Sequence, residues 1–487
     1  MHITFYIAYT KPKYIGNIRL LVVWIFILVI KGDRITKTMT IDIRKFYQIT
    51  NPSKTLNINN GVDDQYYIDF SSVRGGDIIS ELKEKITFWQ PDEPTCTLFT
   101  GHIGCGKSTE LLRLQAELEK DNFHVVYFES SEDLVTTDVD IADVMLAIAR
   151  RVSQSLDKIT LEEPKKLKEL LQGAWKVLNA EVTAAELKVP GVGDVGFSQE
   201  NEKFSLAFGI GKITARTKSD PSLREKLNQF LAPQKLTLLQ AINQELLADA
   251  IAKLKQQGKK GLTVIVDNLD RIDNRVKAWG RPQQEYLFVD QGEFLTKLNC
   301  HVVYTMPLSL KFSNDYGMLT QRFPEDPKVL PMVPVQSPDG SIHTSGMALM
   351  QQMVLARAFP DIAPAERLKN ITAIFDDATT LEHLCRMSGG HVRDLLRLLN
   401  SLIQKQRQFP LRRETLETVI RERRNEIMMP ISPQEWQLLR RVKETKKVSD
   451  DEGYQKLIRS RFVFEYRNGG ESWFEVNPIL AETKELL

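Results

Sequence analysis

The run Gly101-His102-Ile103-Gly104-Cys105-Gly106-Lys107-Ser108, followed by Thr109, places three glycines, a lysine and hydroxyl residues between a short apolar stretch and a helical pattern. It fits G-x-x-x-x-G-K-[ST] at every fixed position. Glycines let the backbone curl so that its N–H groups face phosphate oxygens, and the following helix adds its positive N-terminal end. Lys107 would then reach the β- and γ-phosphates of a nucleoside triphosphate, and Ser108 would offer its hydroxyl to Mg²⁺. The other half of such a site is a buried strand that ends in an acid. Val264-Ile265-Val266-Asp267 supplies it and puts a carboxylate where a metal ion or its water shell would sit.

These residues need a scaffold, and the hydropathy pattern predicts one. "TCTLFT" reads as a strand ending in Gly101, and Leu111, Leu112, Leu114 and Leu118 mark a helix from Lys107 to Lys120. Further buried strands are read at 124–129, 262–267 and 300–305, with a fifth at 328–335. Helices are read at 138–156 and 236–255. Alternating apolar strands and helices predict an α/β parallel sheet. Within 160–235, Phe204, Leu206, Phe208 and Ile210 recur at period two and predict a hairpin between two helical arms. From Thr344 onward helices are read at 345–358, 364–375, 380–388, 391–406 and 413–427. The end reads helix, helix and two strands turning at Asn468-Gly469-Gly470, the order of a small winged helix.

The loop at 101–108, the run "VIVDNLDRI" at 264–272, "HVVYTMP" at 301–307 and "SGGHVRDLLRLL" at 388–399 together resemble the AAA+ and STAND groups of P-loop ATPases. The likeness extends over most of residues 68–487, with origin-recognition initiators and NACHT-type ATPases the nearest branch. It implies a P-loop NTPase parallel sheet flanked by helices over 68–342, an insertion at about 160–235, an all-α lid over 343–430 and a winged-helix domain over 431–487. Residues 39–67 form an N-terminal segment. The resemblance implies ATP and Mg²⁺ as cofactors, with Gly101 to Thr109 binding nucleotide and Ser108 with Asp267 holding the metal. It maps a polar sensor to Thr305 and a lid sensor arginine to Arg393. "SVRGGDIISELKEKI" resembles the segment lining the adenine pocket, with Arg74-Gly75 in the reverse of the usual order. Thr305 as a strand cap and Arg393 as a surface arginine are the plainer readings. Arg271, Arg275, Arg281 and Arg322 are equal candidates for an arginine that reaches a neighbouring subunit.

AAA+ ATPases usually place a water-activating glutamate directly after the acid that ends this strand; here Asn268 stands there. An amide can orient a water but cannot take its proton as a carboxylate can. Asp270 is the expected base, with Glu129 at the end of a neighbouring strand as the more distant candidate. Slow hydrolysis and a nucleotide-dependent switch or assembly ATPase follow as the expected function. A nucleotide-dependent homo-oligomer and a protein partner bound through 160–235 or the winged helix are expected with it.

Composition narrows the alternatives. The chain has 487 residues with 65 Lys+Arg against 63 Asp+Glu, so no global field draws it to nucleic acid or an acidic membrane. Residues 431–487 hold ten basic and ten acidic residues, which places a DNA-acting initiator or transposition helper second. Residues 397–426, with eight basic against four acidic, fit a solvated helix face equally well. A third reading, a membrane-associated ATPase resembling the KAP group, rests on Asp267-Asn268-Leu269-Asp270-Arg271 and on the apolar run Ile18–Ile30. That run is shorter than the roughly 20 residues a spanning helix needs. It reads as part of an extension, residues 1–38, upstream of Met39. Cys96, Cys105, Cys300 and Cys385 lack C-x-x-C spacing, so a zinc site or disulfide framework is not indicated and a cytoplasmic home is expected.

Overall fold

Five parallel strands alternate their side chains between two packed faces. A computed structural model describes residues 41–58, 61–159, 161–179, 206–449, 452–468 and 470–486. Its strands are β1 (Cys96–Gly101), β2 (His124–Glu129), β3 (Leu262–Asp267), β4 (His301–Met306) and β5 (Lys328–Leu330), in the spatial order β2-β3-β4-β1-β5. Leu98, Val126, Phe128, Val264, Val266, Val302 and Tyr304 point to one face, where the helices of residues 141–254 bury them. Phe99, Val125, Ile265 and Val303 point to the other, against helix Lys107–Lys120 and the turn of helix at 78–86. Sheets covered on both faces need strands apolar at every position, which explains the unbroken burial of β1, β3 and β4.

The fold is a P-loop NTPase parallel sheet flanked by helices, and the acid-ending strand is separated from the loop strand by β4. This order brings Gly101, Asp267 and Thr305 to one end of the sheet, the end of a parallel sheet where ligands bind.

The period-two reading of 204–210 is corrected. Phe204 lies outside the described residues, and Leu206–Ser219 is a helix. Leu206, Ile210, Ile213 and Thr217 form its buried stripe, whereas Phe208 is 60% exposed with the Lys212 ammonium 4.4 Å from its ring centre. Leu206 and Ile210 satisfy both periods, so only the fate of Phe208 separates helix from strand. The fifth strand is also shorter than read, because Pro331 and Pro334 interrupt 328–335.

The all-α region carries helices Thr344–Ala358, Ala378–Met387, Val392–Gln406 and Arg413–Met428, which share a core with Phe46 and Phe70 of the N-terminal segment. Helices Pro433–Thr445 and Glu452–Arg459 follow, then the antiparallel pair β6 (Val463–Asn468) and β7 (Glu471–Val476). Phe464, Tyr466 and Trp473 of this hairpin pack into the same core as helix 107–120. The run 18–30 lies outside the described residues. Among the described residues no helix is long and apolar enough to cross a membrane.

Candidate nucleotide site

The glycine loop is held by its carbonyls. Lys107 Nζ donates to Gly101 O (2.8 Å) and His102 O (3.0 Å), His391 Nε2 lies 2.9 Å from Ile103 O, Arg393 N donates to Gly104 O (3.1 Å) and Arg74 Nη2 to Cys105 O (2.8 Å). These bonds occupy the carbonyls from Gly101 to Cys105, and the Cys105 N–H is itself taken by His102 O at 3.1 Å. Gly104 has φ +96°, and a Cβ there would lie 2.8 Å from the His391 ring and 2.9 Å from Arg393 Cβ. Only glycine admits the all-α region this close. Gly106, at φ +110°, opens the 107–120 helix and leaves its N-terminal end bare.

His102 carries a second attachment. Its Nε2 accepts the N–H of Glu465 on β6 at 2.9 Å, and its ring meets Phe464 edge-on at 5.5 Å. Phe464 in turn stacks on His391 (5.6 Å, 5°), and Tyr466 donates its hydroxyl to Gly389 O at 2.7 Å. Burial drives the His102 pKa well below the ordinary histidine value, with His391, Lys107 and Arg461 adding to it, and the neutral ring serves as an acceptor. Loop, lid and terminal hairpin therefore share one contact cluster.

An open cavity lies above the loop. Ile103, Gly104, Gly106, Lys107, Ser108 and Thr109 form its floor; Asn268, Asp270 and Arg271 form one wall; Val392, Arg393 and Leu396 of the lid form another. Lys107 is buried and pairs with Asp270 at 3.0 Å. Burial works against its charge, yet the Asp270 carboxylate outweighs that and holds the pKa above the ordinary lysine value. Asp270 is 3% exposed in its side chain, and its second oxygen, Oδ1, is buried without a hydrogen-bond partner. That orphaned carboxylate oxygen, on a residue that lines the cavity together with Ser108, fits a positioned water or the water shell of a Mg²⁺.

Asp267 stands differently. Its Oδ1 accepts the N–H of Asn268 (2.6 Å) and its Oδ2 accepts the hydroxyl of Tyr127 (2.8 Å), and it does not line the cavity. Burial, and then the Asp267 charge, raise the Tyr127 pKa and keep that phenol protonated as a donor. Asn268 adopts a left-handed conformation, φ 61° and ψ 9°, and this turns the chain so that Asp270 faces the loop. Thr305 is fully buried and accepts the N–H of Leu269 (2.8 Å); it braces the turn and does not line the cavity. Glu129 pairs in register with Asp267 across β2 and β3 and also lies outside the cavity wall.

Arg393 lines the cavity without an ion pair or side-chain hydrogen bond among the described residues. Burial lowers its pKa, and Arg271, Arg461 and Arg397 lower it further, which marks a locally cation-rich rim. Of the four candidate fingers, Arg271 lies on this rim, while Arg281 is committed to Asp290 (2.9 Å) and Asp315 (2.6 Å).

A second cavity adjoins the first and shares Lys54, Gly106, Thr109, Val392 and Leu396 with it. Leu56, Tyr66, Ile68, Phe70 and Met353 make it largely apolar, and Arg74, Glu110 and Arg357 are its buried charged groups. Tyr127, His391, Lys54 and Arg357 escaped the sequence reading. Only His391 left a local signal, as a polar residue at the start of a helix; the others join the site through strand order and lid docking.

Residues 76–277 match the sequence profile described as the KAP family P-loop domain. Among solved structures, a Walker-type ATPase of Pyrococcus abyssi is 12% identical with a TM-score of 0.37, covering 86% of this chain and 98% of its own. The ORC2 protein of Aeropyrum pernix in ADPNP and ADP complexes is 11% identical (TM-score 0.36; 82% and 89% covered). Drosophila ORC bound to DNA is 12% identical (TM-score 0.33; 96% and 95%). No curated protein matches the chain.

Proposed function

On the premise that this chain carries an ATP-binding P-loop ATPase domain of AAA+-like kind, we propose that it is a slowly hydrolysing switch whose lid position follows the bound nucleotide. One observation carries the reading: Lys107, Ser108 and Asp270 of the core and Val392, Arg393 and Leu396 of the lid line the same cavity. A ligand that fills it touches both parts, and ligands that differ in their contacts to the two favour different arrangements.

The Lys107–Asp270 pair supports the chemistry. Phosphate oxygens compete with Asp270 for Lys107, and the released carboxylate turns to the water or metal shell. Bound Mg²⁺ would neutralise phosphate charge as a Lewis acid, with Ser108 as its ligand and Asp267 reaching its water shell. Asp267 orients the turn through Asn268 N–H and approaches the metal shell only if Tyr127 yields its hydrogen bond. Asn268 orients the attacking water, Asp270 accepts its proton and Arg393 senses the γ-phosphate. Thr305 acts as a positioning residue.

The 160–235 insertion and the terminal helix-helix-hairpin unit, read as a winged helix, are the surfaces proposed for a protein partner. A DNA-acting role ranks lower on the even charge of 431–487.

The test is hydrogen exchange across residues 389–396 with an ATP analogue and with ADP. Different protection in the two states is expected; equal protection, with both nucleotides bound, defeats the switch.

A further inference from the structure

Arg357, near the end of helix Thr344–Ala358, is 7% exposed and faces the second cavity. A guanidinium this buried ordinarily meets a carboxylate. This one donates Nη1 to Met353 O, one turn back on its own helix (2.8 Å), and its buried Nε has no hydrogen-bond partner. Burial lowers its pKa to about 10, with Tyr66 and Asp63 opposing only in part. Lys54 pairs with the Asp63 carboxylate at 3.0 Å.

Arg74 lines the same cavity at 4% exposure, with its guanidinium over the Phe70 ring (5.1 Å), and its Nε is unpartnered too. The cavity's one buried carboxylate, Glu110, already accepts the Tyr67 hydroxyl (3.2 Å) and lies 3.6 Å from Arg113. Donors therefore exceed acceptors, and the cavity offers hydrogens to a group with a lone pair, set in an apolar slot.

The two cavities share Gly106 and Thr109, so a nucleotide with its phosphates on the glycine loop would have this slot within reach of its base. We propose that Arg357 is a specificity-determining residue that donates its Nε hydrogen to a ring nitrogen of the adenine, so that the all-α region reads the base as well as the phosphates. The inference rests on the nucleotide-binding reading above and adds to it the base contact.

Calorimetric titration of the full chain with ATP and with its 1-deaza, 3-deaza and 7-deaza analogues tests this, for the parent and for Arg357→Met. At least one analogue should bind the parent about tenfold more weakly than ATP, about 1.4 kcal/mol. Arg357→Met should bind ATP about tenfold more weakly, with that analogue's penalty collapsing toward unity. Without nucleotide the Met variant should melt no lower than the parent, because an unpaired buried charge is removed. If the variant does not fold, the parent's analogue series and Arg357→Lys, which keeps the charge but shifts the donor, carry the test. Three deaza analogues that all match ATP, or a penalty undiminished in Arg357→Met, overturn the proposal. Absence of ATP binding by the parent, or unchanged binding by Lys107→Ala, would instead defeat the nucleotide reading beneath it.

Discussion

The two adjoining cavities bury cations, and Lys107 in one and Arg357 in the other are treated in opposite ways. In the phosphate cavity Lys107 is matched by Asp270 at 3.0 Å and by two loop carbonyls. In the neighbouring cavity Arg357 has a single carbonyl and an idle Nε. A cation with an internal counter-ion keeps the empty site in order, but its ligand must displace the counter-ion, so binding changes the protein. A cation without one gives up little on binding, so contact with it adds affinity without a change of state. The proposed switch would draw on the first arrangement and the proposed base contact on the second.

The strongest way to break the contrast is Lys107→Ala. It removes the charge aimed at the phosphates and strands Asp270, and ATP affinity should fall by about a hundredfold or more in an equilibrium titration. Asp270→Asn separates the roles of the pair. Phosphate release should drop by about 10²–10⁴, the range for losing a general base, while ATP binding is kept or strengthened because the competitor for Lys107 is weaker. A parent-like rate in that variant, with Glu129→Gln inactive, moves the base to β2.

Tyr127→Phe sharpens the comparison more gently. Freeing Asp267 Oδ2 should shift the Mg²⁺ concentration for half-maximal ATP binding by less than about tenfold, while Asp267→Asn should disturb the same curve more. Acid tests the loop from outside. His102 and His301 both have pKa values lowered by burial, the latter to about 4, against about 6.5 unfolded. The unfolded chain then binds more protons between those values, so stability is full above pH 6.5 and declines as pH falls toward 4. Denaturant titrations across that range should show the decline, and a flat profile would place these rings in water. The smallest effect is expected from Tyr466→Phe, which deletes the 2.7 Å bond to Gly389 O. It should cost about 1 kcal/mol and quicken exchange at 389–391.

What the sequence determined by itself is the part of this protein written in neighbouring residues. G-x-x-x-x-G-K-S with a strand before it and a helix after it specifies the cradle, and Val264 to Asp267 specifies a buried strand with an acid at its tip. Both predictions needed only spacing and hydropathy, because backbone conformation follows local residue type and burial follows period. Four of the five helices read over 344–428 were legible for the same reason, whereas 364–375 is a four-residue helix, Pro364–Arg367, that runs into a 3-10 turn. The tertiary structure alone decided which acid faces the cavity: the left-handed turn at Asn268 and the Tyr127 hydroxyl on the adjacent strand assign that place to Asp270. It alone joined His102 to Glu465 and put Arg357 beside the loop. These contacts close loops of hundreds of residues through packed cores, and their free energy is summed over the many surfaces that bring the elements together. No window of sequence contains that sum, and at 206–210, where two periods coincide, local pattern was not sufficient even for the element itself.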